Sequence, residues 1–210
     1  MANKDAAFGF KPIRTLGGTP YNASMASAYY VPSTYATALF VGDLVVLPAT
    51  ATANAAAVSE TMNGTSIGTK QTVAQAAAAA GAEIIGVVVG FEADRDDLTK
   101  QYNPASNERI VYVCDYPDMV YIAQGDGVIG AASAGLNADI IVGTGSTISG
   151  KSSMELDSGT ATAPATTNTL SFRLLQAADI PDNDITLANG VWECMINANR
   201  HFYRNPLGVA

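Results

Sequence analysis

The chain has 210 residues, 48% of them hydrophobic and 14% charged, with 11 Lys and Arg against 19 Asp and Glu for a net charge of −8. That much apolar side chain excludes disorder throughout, and the length suits one domain or one domain with an arm. So few basic residues, scattered along an acidic chain, do not make a phosphate-binding surface, and no nucleic-acid partner is expected.

The chain opens on polar residues, Met1-Ala2-Asn3-Lys4-Asp5, and no apolar run approaches the ~20 residues that cross a bilayer. Neither a leader nor a membrane contact is expected, and synthesis in a cytoplasm follows. Next come Phe8, Phe10, Tyr21, Tyr29, Tyr30 and Tyr35, set among Gly9, Pro12, Gly17, Gly18, Pro20 and Pro32. Proline removes backbone donors and glycine weakens helix and strand, yet the aromatic rings gain by leaving water. Residues 1–38 therefore read as an extended arm laid across another surface. A loop packed on the chain's own core is the alternative. On the arm reading, Phe8, Phe10, Ile13, Arg14 and the Tyr29–Tyr30 pair are the anchoring candidates, since aromatic rings and arginine carry much interface energy. The arm is then expected to be mobile in the free protein and ordered on its partner.

A β-rich core domain is expected over residues 39–198. Strand-sized apolar runs occupy Leu39–Leu47, Ile84–Phe91, Ile110–Cys114, Met119–Ala123, Ile140–Val142, Leu170–Leu175 and Val191–Ile196. Leu170, Phe172 and Leu174 alternate with Ser171 and Arg173, the two-residue period of a half-buried strand. By the same period Trp192, Cys194 and Ile196 point inward, with Glu193 and Asn197 outward. Tyr116-Pro117-Asp118 predicts a hairpin-like connection between its flanking runs. Only Val73–Ala80, alanine-rich and stopped by Gly81, offers a short helix. Ser158–Thr169 reads as a surface loop. Cys114 and Cys194 read as small buried hydrophobes, with a disulfide between them the alternative. The expected fold is mainly β: an antiparallel β-barrel or sandwich, jelly-roll-like forms included, with the N-terminal arm and at most one short helix.

Residues 145–152 spell G-x-x-x-x-G-K-[ST], a loop in which glycines free backbone amides for phosphates. Lys151 would supply charge and Ser152 a magnesium ligand. A helix must follow such a loop, but Gly159 and Pro164 come too soon for one. Gly145, Gly150, Lys151 and Ser152 are therefore read as a chance match, with no nucleotide or other cofactor expected. Asp182-Asn183-Asp184 begins like a calcium loop with Glu193 in twelfth place, yet Leu187 stands where the turn needs glycine. That group and the Asp94, Asp96, Asp97 cluster read as solvated turns, and no metal is expected. His201, the single histidine, lies in a basic and aromatic tail over residues 199–210, a poor platform for a catalytic base. No catalytic residue is assigned, and the chain does not read as an enzyme. Arg200, Phe202, Tyr203 and Arg204 form a second set of anchoring candidates on the tail.

Several patterned blocks recur in a familiar order. FGFKPIR, GGTPYN and YYVPSTYATALFVGDLV are followed by IIGVVVGFEAD, RIVYVCDYPDMVYIAQ and TISGKSSMELDSGT, then by LSFRLLQAADIPDND and WECMINANRHFYRN. Across nearly the whole chain this order resembles the head decoration, or cement, proteins of tailed bacteriophages. The resemblance implies a virion structural protein on the outer surface of the capsid, bridging neighbouring copies of the major capsid protein. It also implies self-association, as a trimer or alternatively a dimer. Weak contacts from arm, core and tail would combine through effective concentration. Two other readings stand beside it: a virion-surface glycan- or receptor-binding β module, and a P-loop nucleotide hydrolase using Lys151 and Ser152.

Overall fold

The computed structural model describes residues 3–48, 60–62, 65–68, 70–78, 83–94 and 97–206. The first strands in chain order are β1 (Lys11–Thr15), β2 (Ala26–Val31), β3 (Leu44–Val46), β4 (Glu60–Met62) and β5 (Thr65–Gly68). Then come β6 (Ala74–Gln75), β7 (Ile84–Phe91), β8 (Arg109–Cys114), β9 (Met119–Gln124) and β10 (Asn137–Ala138). The last are β11 (Ile140–Ile141), β12 (Glu155–Leu156), β13 (Phe172–Ala177) and β14 (Val191–Ile196). One antiparallel sheet has the order β1-β9-β14-β13-β10 and a second the order β2-β8-β7-β3-β6, with small β11-β12 and β4-β5 ladders beside them. Phe172, Leu174, Trp192 and Cys194 of the first sheet meet Leu44, Ile84, Val87 and Cys114 of the second. This shared core makes the protein a β-sandwich.

The second sheet is buried on both faces. Ile84 and Val87 of β7 reach the inter-sheet core, while Ile85 and Val88 join Tyr29, Val31, Val45, Val111 and Val113 in a second core behind it. A strand covered on both sides has no reason to alternate, which explains the unbroken apolar run at Ile84–Val89. The pairing of β3 with β7 is bulged between Val45 and Val46. Gly86 lies opposite this irregularity, and a Cβ there would sit 2.1 Å from the Cys114 carbonyl oxygen, so only glycine fits. The sheet curls until the Tyr30 amide donates to the Gln71 carbonyl at 2.9 Å and the Val73 amide to the Tyr30 carbonyl at 3.1 Å. Among the described residues a bridge between Tyr30 and Thr72 joins the two edges without a continuous ladder, so of the two expected forms the structure is the sandwich and not a closed barrel.

Several local expectations are corrected. Residues 73–78 are not helical, because Ala74 and Gln75 pair with Val46 and Val45; long-range pairing overrides alanine's helix propensity. Ala79, Ala80 and Gly81, the end of the expected helix, lie outside the described residues, as does Asp96. The turn at Tyr116-Pro117-Asp118 is not a hairpin: β8 pairs with β2 and β7, whereas β9 pairs with β1 and β14. The chain changes sheets there. Glu193 and Asn197 are buried rather than outward, Glu193 against Arg14 at 2.7 Å and Asn197 donating to the Leu170 carbonyl at 2.7 Å. Cys114 and Cys194 are free thiols in the core, and burial pushes the Cys114 pKa up to about 11. Among the described residues no helix is long and apolar enough to cross a membrane.

The largest correction concerns residues 1–38. Met1 and Ala2 lie outside the described residues, but Asn3 already donates to the carbonyls of Asp184 and Ala188, at 2.7 and 2.8 Å. Gln124 donates to the Lys4 carbonyl at 2.7 Å and accepts from the Ala6 amide at 3.2 Å. Phe10 is 1% exposed, its ring stacked 4.5 Å from that of Phe172. β1 then pairs with β9, and β2 pairs with β8 over its whole length. The segment is the loop packed on its own core, not an external arm.

The tail is likewise strapped down. The Ile84 amide donates to the Arg200 carbonyl at 2.7 Å and the Phe202 amide to the Ile84 carbonyl at 3.0 Å, while residues 207–210 lie outside the described part. This places His201, only 1% exposed, against β7. Burial, and then the Arg204 charge, lower its pKa to about 4, against the opposing pull of Asp115 and Asp118. Between its ordinary 6.5 and about 4 the unfolded chain binds a proton that the folded chain refuses. This group's share of the folding stability, about 3 kcal/mol, is therefore lost as the pH falls through that window. Urea titrations of wild type and His201→Asn by circular dichroism should show a shallower loss in the variant; equal slopes would refute the assignment.

Candidate functional site: a groove along the first strand

The segment leading into β1 is gripped on two sides. The Phe10 amide donates to the Gly42 carbonyl at 2.9 Å, and β1 runs on beside β9. Gly9, at φ +74°, makes the approach feasible: a Cβ there would lie 2.6 Å from both the Gly42 carbonyl oxygen and Ser152 Cβ. Behind Gly42 the carboxylate of Asp43 is buried, accepting from the Phe40 amide at 2.9 Å and from Gln75 Nε2 at 3.0 Å. Desolvation raises its pKa, against the opposing pull of the Ser152 hydroxyl, the Phe40 amide and Gln75. These contacts hold the 40–44 corner as one wall of a groove.

The groove has a volume of about 650 Å³ and follows the chain from Ala6 to Pro12. Phe8, Pro12, Val41, Val89, Ile122 and Ile180 give it an apolar surface. Tyr21 also lines it, with its hydroxyl pKa raised by burial and then by the Cys114 thiol. Lys11 and Lys151 are both exposed, and no carboxylate stands among its described lining residues. In a chain with a net charge of −8, this is a local reversal of sign.

Lys151 reaches the groove from the loop that matched the phosphate-binding pattern. Most of that loop's amides are already taken within the chain. Ser146 and Gly150 donate to the carbonyls of Lys151 and Ser146, at 2.9 and 2.8 Å, and Ser152 donates to the Val41 carbonyl at 2.8 Å. The Ser149 amide bonds the Ser146 hydroxyl at 3.2 Å. The Ser152 hydroxyl, the would-be magnesium ligand, is buried and accepts from the Met154 amide at 3.0 Å. A strand, β12, follows instead of a helix. What the loop does present is Ile148, 95% exposed at the tip of a tight turn. Gly150 packs on Gln101, where a Cβ would lie 2.6 Å from the Gln101 Cβ. The neighbouring turn carries Leu98, 79% exposed.

The ten anchoring candidates do not converge. Phe8 lines the groove, and Ile13 is half-buried in β1. Phe10 belongs to the core, Arg14 is paired with Glu193, and the Tyr29 and Tyr30 rings are buried. The Tyr29 hydroxyl donates to Asp115 at 2.8 Å and that of Tyr30 to Glu108 at 3.1 Å. On the tail, Arg200 donates to the Thr169 carbonyl at 2.8 Å and Phe202 packs on the second core. Tyr203 and Arg204 remain at the surface, Tyr203 beside Tyr29 and Asp115, Arg204 3.2 Å from Asp118. Of the loop resembling a calcium site, Asp184 accepts from the amide and hydroxyl of Thr186, and Asn183 bridges the backbone of Ala178 and Val191. Lys11, Tyr21, Val89, Ile122 and Ile180 were missed as site residues. Only Ile122, an apolar residue on the outward phase of MVYIAQ, left a local sign of exposure.

Compared with known proteins, the chain matches no family model, no curated protein and no solved structure.

Proposed function

We propose that this protein decorates the head of a tailed bacteriophage, binding the outer face of the capsid and clamping neighbouring copies of the major capsid protein. The observation that carries the reading is the lysine-rimmed apolar groove on an otherwise acidic protein. Such a feature favours a protein partner that supplies both apolar side chains and carboxylates. The order of sequence blocks across the chain supports the choice of a capsid as that partner. A shell repeats its surface many times, so contacts of modest strength combine through effective concentration. Ile148, Leu98, Tyr203 and Arg204 point outward and add secondary contacts. Association of the protein with itself, as a trimer or alternatively a dimer, belongs to the same proposal.

Heads assembled without the protein supply the test. Purified chain should co-sediment with them in fixed ratio to the capsid subunit, and decorated heads should retain DNA to a higher temperature. Absence of co-sedimentation would overturn the proposal.

A further inference from the structure

We infer that the groove along β1 receives an extended, acidic segment of the partner subunit, its apolar side chains seated between Phe8 and Ile180 and its carboxylates held by Lys11 and Lys151. This rests on the head-decoration reading. Charge is the first argument. Two of the chain's 11 basic residues meet at this groove, while none of its 19 acidic residues is found among the described lining. Lysines on flexible stems suit carboxylates whose exact position varies along a peptide, without the fixed fork of arginine.

Shape is the second. The lining tracks Ala6 to Pro12, a path of about 20 Å for extended backbone, which suits a chain more than a compact ligand. Recognition is by side chains rather than by strand addition along β1. The Ile13 carbonyl already accepts from the Tyr21 amide at 3.0 Å, and the Thr15 amide donates to the Thr19 carbonyl at 2.7 Å. The Leu16 amide is likewise taken, by the Asp118 carbonyl at 2.8 Å. The apolar groove therefore supplies affinity while the two lysines select an acidic partner.

Binding of the full chain to undecorated heads at low and high salt tests this. Lys11 and Lys151 are exposed, so the double variant Lys11→Glu, Lys151→Glu should keep the wild-type melting temperature. Its affinity for heads should drop at least about tenfold at low salt and lose most of its salt dependence. The Lys11→Arg, Lys151→Arg pair should bind like wild type, and Ile180→Asp should bind weakly through loss of the apolar seat. Hydrogen exchange of residues 8–12 and 88–89 should slow on the heads. Failure of the wild type to bind heads overturns both this inference and the decoration reading. Wild-type binding with unchanged binding by the charge-reversed variant overturns the groove alone. Self-association of the free chain abolished by the same reversal would make a second copy the occupant and overturn it too.

Discussion

A chain lacking residues 1–20 should fail to fold. The segment looks dispensable by composition, but it carries one complete strand and a ring at the centre of the sandwich. Removing it uncovers the outer edge of β9, empties the place of Phe10 against Phe172, and frees the 40–44 corner that Phe10 and Gly9 hold. Loss of a buried phenylalanine alone typically costs about 3–5 kcal/mol. Many domains have only about 5–15 kcal/mol in hand, and a strand ladder is lost as well. Far-UV circular dichroism of the truncated chain should show no cooperative melt. Phe10→Ala should give the graded version, still folded but destabilised by about 3–5 kcal/mol. A truncated protein that melts within a few degrees of wild type would mean that the segment rests on the core without belonging to it.

Trp192→Ala should be nearly as damaging at a single position. Trp192 sits in β14 between β9 and β13, opposite Ala123 and Ala177, where small neighbours leave room for the indole. It is 1% exposed, and its indole N–H has no acceptor among the described residues, so truncation strands no buried partner. The loss is therefore packing and cavity, about 3–5 kcal/mol, with little chance of collapse because both sheets are pinned around it. Since it is the chain's single tryptophan, unfolding must be followed by circular dichroism rather than fluorescence. A cost below about 1 kcal/mol would show that the two sheets close over the gap.

The core strands were legible because their signal is local. Ile84–Phe91 and Val191–Ile196 have the residues of β7 and β14 end to end, and Trp192, Phe172 and Leu174 are buried as their alternation implies. Phe91 is only half-buried, under the Arg109 guanidinium 5.3 Å from its ring centre. β1, β2 and β6 were not legible, since glycine, proline or alanine sets the local preference while partners many residues away decide the outcome. The change of sheet after Cys114 was hidden for the same reason: a three-residue turn suits a hairpin as well as a corner. Phe8 and Lys151 were singled out, Lys151 for phosphate chemistry its loop does not support. The groove itself joins residues from 6–12 with residues 21, 41–42, 88–89, 122, 151 and 180, and no local pattern links them.

The first sheet has a kinetic consequence. Its strand β9 is flanked by β1, from the beginning of the described chain, and by β14, near its end. During synthesis β9 therefore waits for β14, and the strap at residues 200–202 must emerge before β7 is covered. Such non-local topologies fold slowly and expose apolar strands meanwhile. A chain that stops short of Val191 lacks β14, which leaves the first sheet in two pieces, β1-β9 and β13-β10, and the shared core without Trp192 and Cys194.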